Sequence, residues 1–200
     1  MHKSIDRILI THVGSLPRGE ELAALLIEEE AGRSVDKRKI AETIEKRVAY
    51  VLEKQRDAGV DIANDGEQGR VGFQTYVPQR MSGFGGESKR PFGREWIEFP
   101  LYAKKFQERL PKTGKVFGCP EAVGELHYRD TAAIQTELSR FKRLAAAVEP
   151  PFTECFFAEP SPGIIATTML NAYYPSYEAY LEAIAREMHY EYRLFAFFSG

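Results

Sequence analysis

Cysteine, long apolar runs and net charge are all scarce in this sequence, and each scarcity excludes a class of protein. The two cysteines, Cys119 and Cys155, cannot build a disulfide framework, so we expect reduced thiols in a cytoplasmic protein. No apolar run approaches the ~20 residues of a membrane-spanning helix, and the N-terminus lacks the apolar core of a signal peptide. A formal charge of −2 provides no basic field for a phosphate backbone, so neither nucleic acid nor a membrane is an expected partner.

The length and the remaining composition are those of one globular domain. A chain of 200 residues buries roughly 70% of its unfolded surface, which is enough for a core. A complete eight-stranded β/α barrel typically needs ~250 residues, so the chain is short for one. Because neither a linker nor an internal repeat is visible, we predict a single domain over residues 1–200.

The apolar pattern alternates between strand-like and helix-like segments. Strands are predicted near residues 7–12, 60–65, 116–125 and 152–158, and helices over 20–30, from a cap at Ser34 or Asp36 to Ala58, over 131–147 and over 177–198. Residues 66–100 are expected to form a long irregular loop, because glycines interleave there with aromatic residues. At Gly59 a helix delivers the chain directly into a strand, which is typical of a parallel sheet with helices on its outer face. The sequence therefore predicts an α/β fold.

In parallel β/α folds, polar residues just past the carboxyl ends of the strands line the active site. After the first predicted strand, Gly14 permits a tight turn, and the neighbouring amides together with the Ser15 hydroxyl suit a carboxylate or a phosphate. His12 belongs to the same segment. The alternative interpretation is a capping loop with a surface histidine.

A second group of candidates follows the second predicted strand and consists of Asp61, Asp65, Glu67 and Arg70. On an extended stretch the three acids fall on one face, because side chains alternate with period two. Clustered acids suit an ammonium group, a metal or proton transfer, and Gly66 lets a ligand approach the backbone closely. The alternative is a solvated acidic turn that closes a strand.

A third candidate is the rigid loop Glu159-Pro160-Ser161-Pro162-Gly163, with Asn171, Tyr173 and Tyr174 downstream. Its tyrosines could stack on a flat ligand, although tyrosines near a helix start also serve plain packing. Neither cysteine has a histidine at ligand spacing beside it, so a zinc site wholly within this chain is not expected.

Taken together, these segments resemble a known family. Thr11-His12-Val13-Gly14-Ser15-Leu16-Pro17-Arg18, then Gly59-Val60-Asp61-Ile62 running into Asp65-Gly66-Glu67-Gln68-Gly69-Arg70, resemble the catalytic barrel of cobalamin-independent methionine synthase and its single-barrel relatives. Pro160-Ser161-Pro162-Gly163 followed by Tyr173-Tyr174 is similar to that group as well, so the resemblance extends in order over nearly the whole chain. It implies a (β/α)₈ barrel of the TIM type, of which this chain looks like the N-terminal half.

The resemblance also implies an activity. Family members transfer a methyl or other alkyl group to a thiol held on zinc as the thiolate, with homocysteine as the thiol and a methyl-folate as the donor in methionine synthase. The amino acid's carboxylate maps onto Gly14 and Ser15, and its amino group maps onto Glu67 in the Gly-Glu motif. Asp65 and His12 complete the set of substrate-binding candidates. The family's zinc ligands lie in the second half of the barrel, so the chain alone is expected to be inactive.

Two other hypotheses remain open from the sequence. A decarboxylase of the uroporphyrinogen type has a similar barrel and needs arginines that face several carboxylates, for which Arg18, Arg70, Arg80 and Arg90 are available. The acids around Glu67 speak against that activity. The third hypothesis is a non-catalytic half-barrel that binds a small ligand or pairs with a second copy to cover its exposed sheet edges.

Overall fold

The computed structural model describes residues 2–87, 93–109 and 119–198. Its helices and strands alternate along much of the chain, as in an α/β fold. The helices are α1 (Glu20–Glu30), α2 (Lys37–Asp57), α3 (Val77–Arg80), α4 (Arg94–Glu98), α5 (Pro100–Arg109), α6 (Ala132–Ala146), α7 (Pro162–Thr168) and α8 (Tyr177–Phe198). The strands are β1 (Ile62–Ala63), β2 (Met81–Gly85), β3 (Glu121–Tyr128) and β4 (Glu154–Cys155).

The parallel part of the fold is a short sheet. β1 pairs in parallel with β4, and Thr11 forms a parallel bridge with Ile62 on the other side of β1. The predicted strands 60–65 and 152–158 are therefore present but shorter than expected. The parallel arrangement matters for function because it brings the segments that follow Thr11, β1 and β4 to the same side of the sheet.

The predicted buried strand over residues 7–12 is wrong in its extent and its burial. Only Thr11 forms a bridge, while the side chains of Ile8 and Ile10 are 82% and 53% exposed. The Asp61 carboxylate accepts the Ile10 amide at 2.8 Å, and the Ile10 carbonyl accepts the amides of both Asp61 and Ile62. The Ile10 amide is thus bonded by the Asp61 side chain and not by a backbone carbonyl of β1. Pairing of this segment with β1 is therefore limited to the bridge at Thr11.

A second sheet pairs β2 with β3 in the antiparallel direction, and α4 and α5 lie between the two strands in the chain. The prediction of an entirely parallel sheet is wrong here, and the strand predicted at 116–125 is β3, with residues 116–118 outside the described residues. β2 lies inside the glycine-rich segment 66–100, which was predicted to be an irregular loop. Gly83 has φ +91, and a Cβ at that position would lie 2.4 Å from the Glu125 carbonyl oxygen. Glycine in β2 therefore marks a close approach of two backbones and not a loop.

The four long predicted helices are confirmed as α1, α2, α6 and α8. At the start of α2 the Asp36 carboxylate accepts the amides of Arg38 and Lys39, which settles the choice between the two predicted caps. The sequence analysis missed α7, which is capped by the Ser161 hydroxyl on the Ile164 amide. It also missed α3 and α4, which lie in the segment 66–100 that was expected to be irregular, and α5, which follows that segment.

Two apolar clusters form the core. The first packs α1, α2 and α6 against one face of the parallel sheet and contains Leu22, Leu26, Ile40, Ile44, Val48, Leu52, Ala63 and Phe141. The second lies between the antiparallel sheet, α7 and α8 and contains Val77, Met81, Leu126, Ile165, Met169, Tyr180, Ile184 and Met188. Among the described helices, none combines the length and apolarity that a bilayer crossing requires.

Candidate functional site

The candidate site lies where the segments after Thr11 and β1 meet. The Ser15 hydroxyl donates a hydrogen bond of 2.5 Å to Oε2 of Glu67, and the Leu16 amide donates to the Gly66 carbonyl at 3.0 Å. Gly66 has φ +61, and a Cβ there would lie 3.0 Å from the Leu16 side chain. The two segments therefore pack so closely that a side chain at position 66 would have to displace Leu16.

Side-chain amides and carboxylates build the turn that carries Glu67. We call residues 64–70 the acidic turn. The Asn64 side chain accepts the Gly66 amide at 2.8 Å, and Oδ1 of Asp65 accepts the Glu67 amide at 3.0 Å. Gln55 of α2 bonds the backbone of Asn64 in both directions, at 2.8 and 3.1 Å. The helix α2 thus anchors the turn at its first residue.

Glu67 itself is buried and adopts the left-handed backbone region, with φ 55. A non-glycine residue in that region costs on the order of 1–3 kcal/mol and persists only where its surroundings hold it. Such strain is typical of functional positions. Here it presents the Glu67 carboxylate to Ser15 across the gap between the two segments.

The structure does not place the three predicted acids on one face. Asp65 lies against α2 and α6, beside Ile44 and Glu137, and its burial raises its pKa to about 6. Asp61 instead binds the guanidinium of Arg7, and this hydrogen bond helps to lower its pKa to about 2. The chain leaves the extended conformation after β1, so the alternation with period two ends before Asp65.

His12 and Gly14 shape the first of the two segments. Nε2 of His12 lies 2.9 Å from the Gly14 carbonyl oxygen, and the His12 carbonyl accepts the side-chain amide of Asn64. Gly14 has φ +100, and among the described residues no atom beyond its two chain neighbours lies within 4 Å of the position that a Cβ would occupy. Among the predicted site residues, Ser15 and Glu67 are brought into contact, while His12 and Gly14 support the segment that carries Ser15.

The sequence analysis did not identify a buried ionic network behind the acidic turn. Arg70 is only 1% exposed, and its guanidinium contacts Glu137 at 3.1 Å, the Ala158 carbonyl at 2.9 Å and the carboxylate of Glu159. Burial disfavours the charged form of Glu137, yet Arg70 and Arg80 together hold its pKa below the usual value. Arg70 therefore ties the acidic turn to α6 and to the segment that follows β4.

Arg80 and Tyr76 extend this network to α8. Arg80 contacts Glu137 at 2.7 Å and also the carboxylate of Glu191. The guanidiniums of Arg70 and Arg80 lie 4.5 and 4.3 Å from the centre of the Tyr76 ring, whose hydroxyl donates to Glu159 at 2.5 Å. The three glutamates are 67 to 121 residues from Arg70 along the chain, so no local pattern could reveal the cluster.

The third candidate loop serves this network and local packing. Glu159 belongs to the network, and the carbonyl of Pro160 accepts the Tyr192 hydroxyl at 2.7 Å. The Tyr174 hydroxyl accepts the Leu126 amide, and Asn171 organises the turn that contains both tyrosines. The remaining arginine of the decarboxylase hypothesis, Arg90, lies outside the described residues.

Zinc does not fit the described part of the chain. Within residues 2–87, 93–109 and 119–198, no three His, Cys, Asp or Glu side chains are grouped so that they could hold a metal ion. Cys119 is buried in the second apolar cluster, whereas Cys155 is exposed on β4. Since zinc normally takes four ligands, of which at least three come from the protein, we derive no chemical step through a metal.

Residues 8–97 match the family model described as the catalytic domain of cobalamin-independent synthase. A search of curated proteins gives no significant match. The solved structure of a B12-independent methionine synthase from Shewanella sp. W3-18-1, in complex with selenomethionine, is similar with a TM-score of 0.65 and 18% identity, over 94% of this chain and 48% of that one.

A second similar structure is the putative vitamin-B12-independent methionine synthase from Listeria monocytogenes. Its TM-score is 0.58 and its identity 16%, over 96% of this chain and 50% of that one. The chain thus spans about half the length of the solved structures that it matches. At these identities the likeness establishes a shared fold.

Proposed function

We propose that the chain binds the amino-acid thiol in a methionine-synthase-like methyl transfer, and the match of residues 8–97 to the catalytic-domain model of cobalamin-independent synthase supports this proposal. In this proposal the acceptor is homocysteine, the donor is a methyl-folate, and the reaction takes place in the cytoplasm. The 200 residues form one domain that corresponds to the N-terminal half of a (β/α)₈ barrel. Zinc and its ligands come from outside the described residues.

The contact between Ser15 and Glu67 carries the proposal. A carboxylate is the natural partner of an ammonium group, and a serine hydroxyl is a natural partner of a carboxylate. The two groups lie in direct contact, so the neighbouring ammonium and carboxylate of one α-amino acid can reach both. A bound amino acid would replace their mutual hydrogen bond by one bond to each of its own charged groups.

The other predicted residues have supporting roles in this proposal. Gly14 gives the carboxylate access to the backbone, and His12 fixes the turn around it. Asp65 accepts the Glu67 amide and so helps to orient Glu67 from behind. The selenomethionine in the Shewanella structure is an amino acid of the expected size, which supports the choice of ligand class.

The experiment is calorimetric titration of the 200-residue chain with L-selenomethionine. Glu67→Gln keeps the shape of the side chain and removes its charge. Losing one charge-assisted hydrogen bond costs about 1.5–3 kcal/mol, which is roughly 10- to 150-fold in affinity. Glu125→Gln is the control, because Glu125 is an exposed carboxylate on β3. Absence of binding, or equal binding by wild type and Glu67→Gln, would contradict the proposal.

The structure does not favour the decarboxylase hypothesis. Arg70 and Arg80 are already paired with buried glutamates, and Arg18 donates to backbone carbonyls. These three cations are therefore occupied by the protein's own groups. A substrate with several carboxylates would have to break the ionic network to reach two of them.

A further inference from the structure

Arg18 joins the two segments of the candidate site through its side chain. We propose that Arg18 is a positioning residue, whose guanidinium holds the acidic turn in the conformation that presents Glu67 to an amino-acid ammonium group. This inference rests on the proposed function for the identity of the ligand. It assigns a role to a residue that bonds the backbone of Glu67 and not its carboxylate.

The geometry of Arg18 is that of a clamp. Its Nε donates to the Arg70 carbonyl at 2.8 Å, and its Nη2 donates to the Glu67 carbonyl at 3.0 Å. The Arg70 amide also donates to the Glu67 carbonyl, at 3.2 Å, which closes the turn between these two residues. A planar guanidinium holds its donors in a rigid fork that reaches two carbonyls at once, whereas the three donors of a lysine ammonium leave one atom at the end of a flexible stem.

The backbone of Glu67 is the reason why a clamp is needed. Its φ of 55 is unfavourable for a side chain larger than hydrogen. If the turn relaxed to φ below zero, the Cα–Cβ bond of Glu67 would point in a new direction and the carboxylate would leave Ser15. Because Arg18 bonds the Glu67 carbonyl itself, it opposes this rotation at the residue where it would occur.

The opposite end of the turn has its own anchor. The Arg70 side chain is fixed by Glu137, Glu159 and the Ala158 carbonyl. The last residue of the acidic turn is therefore fixed by contacts that do not involve Arg18. Burial lowers the pKa of Arg18, while the nearby charges of Glu67 and Asp65 partly offset this effect. The cation is thus held among the turn's own groups and not in bulk water.

The test compares Arg18→Met and Arg18→Lys with the control Arg47→Met. Arg47 donates to the Pro17 carbonyl, at 2.7 Å, so it contacts the same segment from the side of α2. Each variant is titrated with L-selenomethionine and with 4-(methylseleno)butanoate, which lacks the ammonium group. Arg18→Met should bind L-selenomethionine at least about tenfold more weakly, as expected for losing one charge-assisted bond, with less than twofold change for the butanoate.

The variants separate a clamp from other roles. Arg18→Lys keeps the charge without the fork, so a clamp predicts a loss close to that of Arg18→Met, and full recovery by lysine would overturn the inference. Equal losses for both ligands would overturn it too, since they would indicate a general structural defect. If Arg18→Met does not fold, Arg18→Lys is compared with the wild type for both ligands. Full affinity of Arg18→Lys for L-selenomethionine would again overturn the inference.

A measurement without ligand separates this inference from the proposed function. Amide hydrogen exchange at residues 66–70 should become faster in Arg18→Met, while exchange in α2 and α8 stays the same. Failure of the wild-type chain to bind L-selenomethionine would contradict the proposed function. Unchanged exchange in the acidic turn would overturn the clamp, whether or not the ligand binds.

Discussion

Replacing Arg70 with methionine should destabilise the protein more than any surface substitution. The side chain is 1% exposed and contacts Glu137, Glu159 and the Ala158 carbonyl, while its guanidinium lies over the Tyr76 ring. Removing one partner from a buried ion pair costs about 3–5 kcal/mol, because the opposite charge stays buried without compensation. Glu137 would keep Arg80 at 2.7 Å, but Glu159 would keep only the hydroxyl of Tyr76.

Urea denaturation at pH 7 measures this loss. The second substitution Glu159→Gln, made in the Arg70→Met protein, should recover about 1–3 kcal/mol, because it removes the charge that was left unpaired. Arg38→Met is the control, since Arg38 pairs with Glu42 on the exposed face of α2 and should change the free energy of unfolding by less than about 0.5 kcal/mol. An Arg70→Met loss below about 1 kcal/mol, or strict additivity of the two substitutions, would refute the reasoning.

Two further predictions concern the acidic turn. The pKa of Asp65 is raised from 3.8 to about 6, so the folded state binds its proton more tightly than the unfolded state does. The stability that the protonated Asp65 contributes is therefore present below pH 4 and lost as the pH rises to 6. Urea denaturation should show that Asp65→Asn stabilises the protein by about 1–3 kcal/mol at pH 7 but not at pH 4. Gly66→Ala should cost more than Gly59→Ala by thermal denaturation, since both have positive φ but only position 66 would contact Leu16; equal costs would contradict the close packing.

The helices were predictable because their information is local. In α2 the apolar residues recur at helical spacing, and Asp36 and Gly59 mark its two ends. β2 was not predictable, because glycine in a sequence indicates a loop. In the structure Gly83 instead permits the backbones of β2 and β3 to approach each other. Ile8 was mispredicted for the opposite reason: it is an exposed apolar residue outside the sheet, and in the sequence it resembles a core residue of a strand.

The proximity of two candidate site residues was predictable because both lie in short motifs. Ser15 and Glu67 were paired by the rule that parallel strands end on one side of a sheet, and the structure brings them into contact. The orientation of Asp65 depended on where the extended conformation stops, which the alternation rule does not reveal. The partners of Arg70 come from α6 and the segment after β4, so they required the complete fold.

The buried ionic network also constrains how the sequence can change over evolutionary time. Glu137 serves both Arg70 and Arg80, and Glu159 is shared by Arg70 and Tyr76. Replacing one of these charged residues by a neutral one leaves its partner's charge buried without compensation. Replacing the partners together by apolar residues of similar volume is tolerated. Lineages related to this chain should therefore keep these residues as a set or lose them as a set, with few intermediates between the two.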